Sequence, residues 1–187
     1  MNRDLIQDHF FAAHNVGEAA EPRYVGKSAS LECGAIARIS LQIDESHNIL
    51  QARFRAVGCD LLVATLSRLT GQVAGMSTAQ AAELAQTPAE MLAAFEIVET
   101  DKARCVELAC DALLAAICEY SDAAREEWIG EEALICTCFF VSERTIEREI
   151  RSGGLTTVAE VTRACSAGGG CGSCHQLIQE ILDASQD

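Results

Sequence analysis

Two short cysteine clusters set what the last third of this chain can be. Residues 136–138 read C-T-C and residues 171–174 read C-G-S-C, with 32 residues between Cys138 and Cys171. Two close pairs on separate loops make a four-sulfur cage, which suits zinc or an iron–sulfur cluster. Three glycines, 168–170, lead into the second pair and an apolar helical pattern follows it. Backbone N–H groups there, and a helix beginning near Cys171, would aim donors and positive dipole at the formal −2 charge of an oxidised 2Fe–2S core with four thiolates. Glycine also lets backbone approach sulfur with no Cβ in the way. Four-cysteine zinc sites usually repeat C-x-x-C about 15–20 residues apart, which a C-x-C arm and a longer gap fit poorly. A redox C-x-x-C usually follows a βαβ pattern, and none precedes this one. A cluster is the favoured reading, with zinc and a redox pair as its alternatives.

Ten cysteines in 187 residues, in a chain of this size, do not read as a disulfide framework, so metal binding or thiol chemistry is expected. Hydrophobic residues make up 49% and there are only two prolines, which argues for a packed core. No apolar run approaches the roughly 18 residues of a membrane span. Asp4 and Asp8 stand where a signal peptide would be basic, so a cytoplasmic location is expected. The net charge of −14 is spread over both halves, with 10 basic and 19 acidic residues in 1–130 and 4 and 9 in 131–187. No basic patch is evident, so neither nucleic acid nor a membrane surface is expected as a partner.

The first half reads as α+β. "RISLQID" (38–44) and "LQARFRA" (50–56) alternate around a turn at "ESHN", an antiparallel hairpin with Leu50, Ala52, Phe54 and Ala56 facing the core. The period then changes to that of helices. One should begin at Cys59 and stop near Gly75, and Ser77 and Gln80 form a capping box for the next. Thr87 should cap a third, with Pro88 at its first position. A long helix from about 102 to 121 places Cys105, Leu108, Ala109, Ala112, Leu113, Ala116 and Ile117 on one stripe. Polar "SDAAREEWIGEEA" (121–133) reads as a linker holding Trp128, and two short helices and a final one follow it. Thr157 and Glu160 make another capping box.

Cys33, Cys59 and Cys105 lie at the ends of expected elements, where sites are usually built, but no short motif links them. Three unrelated core thiols are the plainer reading of spacing alone. Cys110, Cys118 and Cys165 read as spare thiols, His175 as a donor beside the cysteine loop, and His9, His14 and His47 as exposed.

The segment "ICTCFFVSERTIEREIRSGGLTTVAEVTRACSAGGGCGSCHQLIQEIL" (135–182) resembles the bacterioferritin-associated-ferredoxin-like (BFD-like) 2Fe–2S domain of the NifU family. That resemblance implies that Cys136, Cys138, Cys171 and Cys174 hold a permanent 2Fe–2S cluster. Residues 20–120 are similar to the IscU-type scaffold domain of the same family, through "LECGAIARISLQID", "ARFRAVGCDLLVATLS" and "KARCVELACDALLAAI". The resemblance implies that Cys33, Cys59 and Cys105 bind iron or a transient Fe–S cluster, with sulfur from a cysteine desulfurase and delivery to Fe–S acceptor apoproteins. It implies an IscU-like antiparallel sheet with packed helices over 1–125, a linker over 126–133 and a small all-helical 2Fe–2S domain over 134–187. The family's third domain, a cluster carrier, has no counterpart before Asp187.

Departures from the family pattern fall on the first site. Ala35 replaces an aspartate, Arg104 replaces a histidine, Asp60-Leu61 replaces a Gly-Ser pair and Val98-Glu99-Thr100 replaces Leu-Pro-Pro, while Lys102 is kept. The sulfurs survive and their oxygen and nitrogen helpers do not, leaving Asp60, Glu99 or Asp101 as oxygen sources, or a cluster shared between two chains of a homodimer. The expected function is non-enzymatic Fe–S cluster assembly, with nitrogen fixation as one setting. Two rivals stand beside it: a 2Fe–2S electron-transfer protein whose first half only docks partners, and a zinc-stabilised interaction module.

Overall fold

The computed structural model describes residues 2–97, 100–127 and 133–185. The expected hairpin is present as β2 (Ile36–Ile43) and β3 (Ile49–Val57), paired antiparallel with Ile39 opposite Phe54 and Leu41 opposite Ala52. Its register slips between Gln42 and Ile43. That irregularity puts Ile49 fully into the core and leaves Leu50 58% exposed, so strict alternation misplaced Leu50.

A strand that alternation did not reveal, β1 (Tyr24–Ala29), completes a sheet of order β1-β2-β3. Six residues containing Gly26 carry little pattern, and the long helix α5 (Thr100–Glu127) supplies the reason for them. A Cβ at Gly26 would overlap the backbone of α5 at Ala112 and Ala116, so only glycine lets helix and strand come this close. Glu119 on α5 accepts a hydrogen bond from the Val25 N–H, closing the edge of the sheet. The expected stripe is borne out, with Leu108, Ala109, Ala112, Leu113, Ala116 and Ile117 all buried. α5 runs further than expected, through the polar residues 121–127; Trp128 and the rest of the expected linker to residue 132 lie outside the described residues.

Helix α1 (Arg3–Phe11) precedes the sheet, capped by Asn2, whose side chain accepts from the Leu5 N–H. Helix α2 (Asp60–Val73) starts with Cys59 as its N-cap and α3 (Thr78–Gln86) with the expected Ser77–Gln80 capping box. Thr87 does not cap the next helix, α4 (Ala89–Ala94). Its hydroxyl donates to the carbonyl of Glu83 and it ends α3, because it still lies within reach of that helix's last turn.

The C-terminal region is helical, with α6 (Glu143–Gly153), α7 (Val158–Cys165) and α8 (His175–Ala184) around Phe139, Ile146, Val161, Ile178 and Leu182. Each such side chain contributes on the order of 1.5–3 kcal/mol by burial. It is not all-helical: β4 (Leu134–Cys136) and β5 (Val141–Ser142) form a two-stranded ribbon, too short for periodicity to signal, whose turn carries Cys138. Gly154 ends α6 with φ 60°, and Thr157 and Glu160 cap α7 reciprocally. The buried residues of both regions form one continuous cluster. No helix among the described residues is long and apolar enough to cross a membrane.

Candidate functional site

The three cysteines of the first half line one cavity at one end of the sheet. Cys33 sits on the β1–β2 loop, Cys59 ends the strand-to-helix passage after β3, and Cys105 lies in the second turn of α5. All three line a cavity of about 710 Å³ together with Arg3, Ala35, Asp60 and Lys102. The sulfurs of Cys59 and Cys105 are 3.3 Å apart. As the N-cap, Cys59 faces the N–H groups of Leu61 and Leu62 at the positive end of α2. A hydrogen bond from Cys105, then those N–H groups, lower its thiol to about 6, while donating that bond and burial push Cys105 up. Cys33, on a fully exposed loop, is lowered chiefly by the side chain of Ser30 and then by the Ala35 N–H. A Cys59 thiolate receiving a hydrogen bond from the Cys105 thiol is a nucleophilic arrangement, since the thiolate is the reactive and metal-binding form.

The departures can be placed. Ala35 is buried and lines the cavity, so this wall carries a methyl group and no carboxylate where the family has its aspartate. Arg104 turns to Glu32 at 3.1 Å and joins α5 to the loop carrying Cys33. Of the three oxygen sources, Asp60 lines the cavity; Glu99 and the Asp101 side chain lie outside the described residues.

The second set assembles as two pairs drawn across the loops. Cys138 and Cys171 are 3.5 Å apart at sulfur, and buried Cys174 faces buried Cys136 closely enough to share a hydrogen bond. Burial, then the charge of Cys136, pushes Cys174 up to about 12. The exposed Cys171 is lowered to about 7, first by the Ser173 hydroxyl 3.0 Å from its sulfur. The N–H of Gly168 faces Cys174 and that of Cys171 faces Cys138. Among the described residues no three Cys, His, Asp or Glu groups are gathered closely enough to hold a metal ion, in this set or in the first. The four sulfurs lie in two pairs, and four thiolates are a donor set that a 2Fe–2S core can use.

The three glycines prove to have separate tasks. A Cβ on Gly170 would sit 2.9 Å from Cys138 Cβ and 3.0 Å from its sulfur, so this position keeps the cage open. Gly168 has φ 88° and its carbonyl accepts from His175 Nε2 at 2.8 Å, as expected of a supporting donor. Gly169 faces away from the sulfurs and rests on Ala79 of α3. The helix that was expected to open near Cys171 opens at His175, after the last cysteine, because the C-G-S-C turn spends Gly172 at φ 73°. Two of the remaining histidines are not exposed: His9 bonds Ser67 at 3.1 Å and His47 bonds Tyr120. Cys110 is buried, whereas Cys118 is exposed and not part of a packing face.

Comparison with known proteins matches two family models along the chain. Residues 1–127 match the NifU-like N-terminal domain and residues 134–184 the BFD-like [2Fe-2S] binding domain. The chain belongs to the NifU family. It is 31% identical over 184 residues to the nitrogen fixation protein NifU of Azospirillum brasilense, covering 97% of this chain and 59% of that protein. The iron–sulfur cluster assembly scaffold protein IscU 1 of Archaeoglobus fulgidus is 30% identical over 120 residues, 64% of this chain and 76% of its own. In fold, the first part is similar to the SUF-system scaffold protein FiSufU of Fervidobacterium islandicum AW-1, with TM-score 0.53 and 17% identity over 60% of this chain and 93% of that one. A NifU-like N-terminal protein of Brucella abortus matches with TM-score 0.53 and 20% identity, over 63% of this chain and 92% of that one. These two likenesses establish the IscU-like sheet with helices. The chain spans about three fifths of the length of the NifU relatives it matches.

Proposed function

We propose that this NifU-family chain assembles a transient Fe–S cluster on Cys33, Cys59 and Cys105 and carries a resident 2Fe–2S cluster on Cys136, Cys138, Cys171 and Cys174. The convergence of the three distant cysteines on one cavity, with Cys59 and Cys105 in sulfur contact, supports the first half of the reading most directly. A scaffold region over 1–125 and a cluster domain over 134–187, joined through 126–133, is the division that goes with it.

Each step belongs to particular side chains. The Cys59 thiolate attacks the outer sulfur of a persulfide on a cysteine desulfurase; that S–S bond breaks, a new one forms on Cys59, and the donor leaves as a thiolate. Two electrons from a separate one-electron carrier then cleave the new persulfide to the Cys59 thiolate and sulfide. Lys102 and Arg3, at the cavity wall, set positive charge beside the anionic cargo. Cys33, on its projecting loop, closes on the iron last and opens first, which lets an acceptor apoprotein take the cluster by ligand exchange. When bound, the 2Fe–2S group of the second domain supplies one-electron chemistry. There Gly170 leaves it room, Ser173 donates to Cys171, and His175 holds the loop through the Gly168 carbonyl.

The protein acts in the cytoplasm and is no enzyme in its own right. Anaerobic reconstitution with a cysteine desulfurase, cysteine and ferrous iron tests the reading. Wild type should gain labile iron and sulfide and pass them to an apo-ferredoxin, and Cys59→Ser should do neither. A Cys59→Ser chain that transfers as well as wild type would leave the first half as a docking platform. That second reading is favoured by the missing carboxylate at Ala35 and the Arg104–Glu32 pair.

A further inference from the structure

The loop between β1 and β2 holds its own shape. The Ser30 N–H donates to the Ala35 carbonyl at 2.8 Å, and the Gly34 N–H to the Ser30 carbonyl at 2.9 Å. Gly34 has φ 69°, which lets the chain turn back directly after Cys33. Burial does little to fix where this turn sits. Leu31, Glu32, Cys33 and Gly34 are all exposed, and Ala35 is the first buried residue after them.

An ion pair reaches from the loop to α5, where Arg104 meets Glu32 at 3.1 Å. Each partner stands next to a sulfur: Glu32 immediately precedes Cys33, and Arg104 immediately precedes Cys105. The pair lies apart from the cavity that the three cysteines share. It lines a second cavity of about 450 Å³, together with Ser30 and Leu108. Cys33, Ala35 and Cys105 line both cavities and form the partition between them, whereas Cys59 lines only the first. Arg104 therefore draws on the loop from the side away from Cys59, where it leaves the three sulfurs clear.

We propose that Arg104 and Glu32 are positioning residues: their ion pair holds the Cys33 loop against α5, and its opening frees Cys33 so that a cluster can be handed on. The role in release rests on the assembly reading; the holding of the loop does not. A weak tie suits this task. With side chains 60% and 76% exposed, the pair favours the closed loop only about 1.5- to 5-fold. The residue standing where the family has a histidine thus acts on a neighbouring sulfur in place of being a ligand itself.

Thiol bridging tests the proposal, on the full chain purified without oxygen and treated with a mild chelator to clear the first site. Diamide joins two neighbouring thiols: both S–H bonds break, one S–S bond forms, and the two electrons and two protons reduce its N=N bond to a hydrazine. With limiting reagent, peptide mapping without reduction counts Cys33–Cys105 bridges against Cys59–Cys105 bridges. Arg104→Ala and Glu32→Ala should each lower that ratio about two- to fivefold at low salt. The charge exchange, Glu32→Arg with Arg104→Glu, should restore it. Wild type at about 1 M salt should approach the single variants, because the Debye length is then about 3 Å. A mere change of field at Cys105 would instead move both of its bridges alike, and in opposite directions for the two single variants. Both positions are exposed, so circular dichroism and melting should stay near wild type.

A ratio that the single variants leave unchanged, or that the charge exchange fails to restore, would overturn the proposal. In anaerobic transfer to an apo-ferredoxin, the single variants should deliver the cluster about two- to fivefold faster and the charge exchange at the wild-type rate. A changed ratio with unchanged transfer would overturn the role in release. Bridging needs no iron, so a wild type that forms no cluster would sink the assembly reading and the release role with it, while the ratio still decides whether the pair holds the loop.

Discussion

Gly169 and Ala79 touch where the two halves of the molecule meet: a Cβ added to the glycine would lie 2.5 Å from the alanine's Cβ. The contact joins the cysteine loop to the first turn of α3, and the cores behind them are continuous. The middle glycine of the triplet therefore serves docking, where its neighbours serve the sulfurs.

Replacing Gly169 by valine should separate the halves without unfolding either. Overpacking of this kind costs about 1–3 kcal/mol, and it falls at the contact between the halves. Backbone 15N relaxation should report one shared correlation time for wild type and two shorter ones for the variant. A single unchanged value would show that other contacts hold the halves together.

Gly170→Ala should act on the cage alone. Its Cβ would press on Cys138, so the visible absorption of the 2Fe–2S domain should weaken or vanish, while the Cys59-dependent iron uptake of the first half persists. Equal loss at both centres would contradict the separation of roles.

Gly26→Ala tests the fold. With α5 backbone already against this position, the helix must move off β1. The melting temperature should fall by several degrees, the scale of a 1–3 kcal/mol loss in a chain of this size.

Stability should depend on His47 below neutral pH. Burial is the main cause of its lowered pKa, so the folded state binds the proton less readily than the unfolded chain. Its contribution is complete above the unfolded value of about 6.5 and is lost as pH falls from there towards the lower folded value. His47→Asn tolerates the φ of 63° and should flatten the fall in melting temperature between about pH 6.5 and 5. An unchanged profile would assign the pH dependence to other groups.

Sequence made the hairpin, the capping boxes and the α5 stripe legible because each is a local period or a local hydrogen-bond pattern. β1 was not legible, since Gly26 is there for a helix 86 residues further on. Leu50 was misplaced because a register slip cancels alternation. The C-terminal cysteines announce themselves by spacing, whereas Cys33, Cys59 and Cys105 converge only through the tertiary fold, and resemblance alone connected them. Strand pairing also sets Lys27 opposite Arg38 and Arg38 opposite Arg55, neighbours that lie far apart in the sequence.

The most direct test of the account is iron, zinc and acid-labile sulfide per chain on protein purified without oxygen, for wild type, Cys171→Ser and Cys59→Ser, before and after incubation with a desulfurase, cysteine and iron. Two separate centres predict about two irons and two sulfides in wild type as purified, a further Cys59-dependent gain on incubation, and loss of only the resident pair in Cys171→Ser. Zinc without sulfide, or an incubation gain that Cys59→Ser leaves untouched, would contradict it.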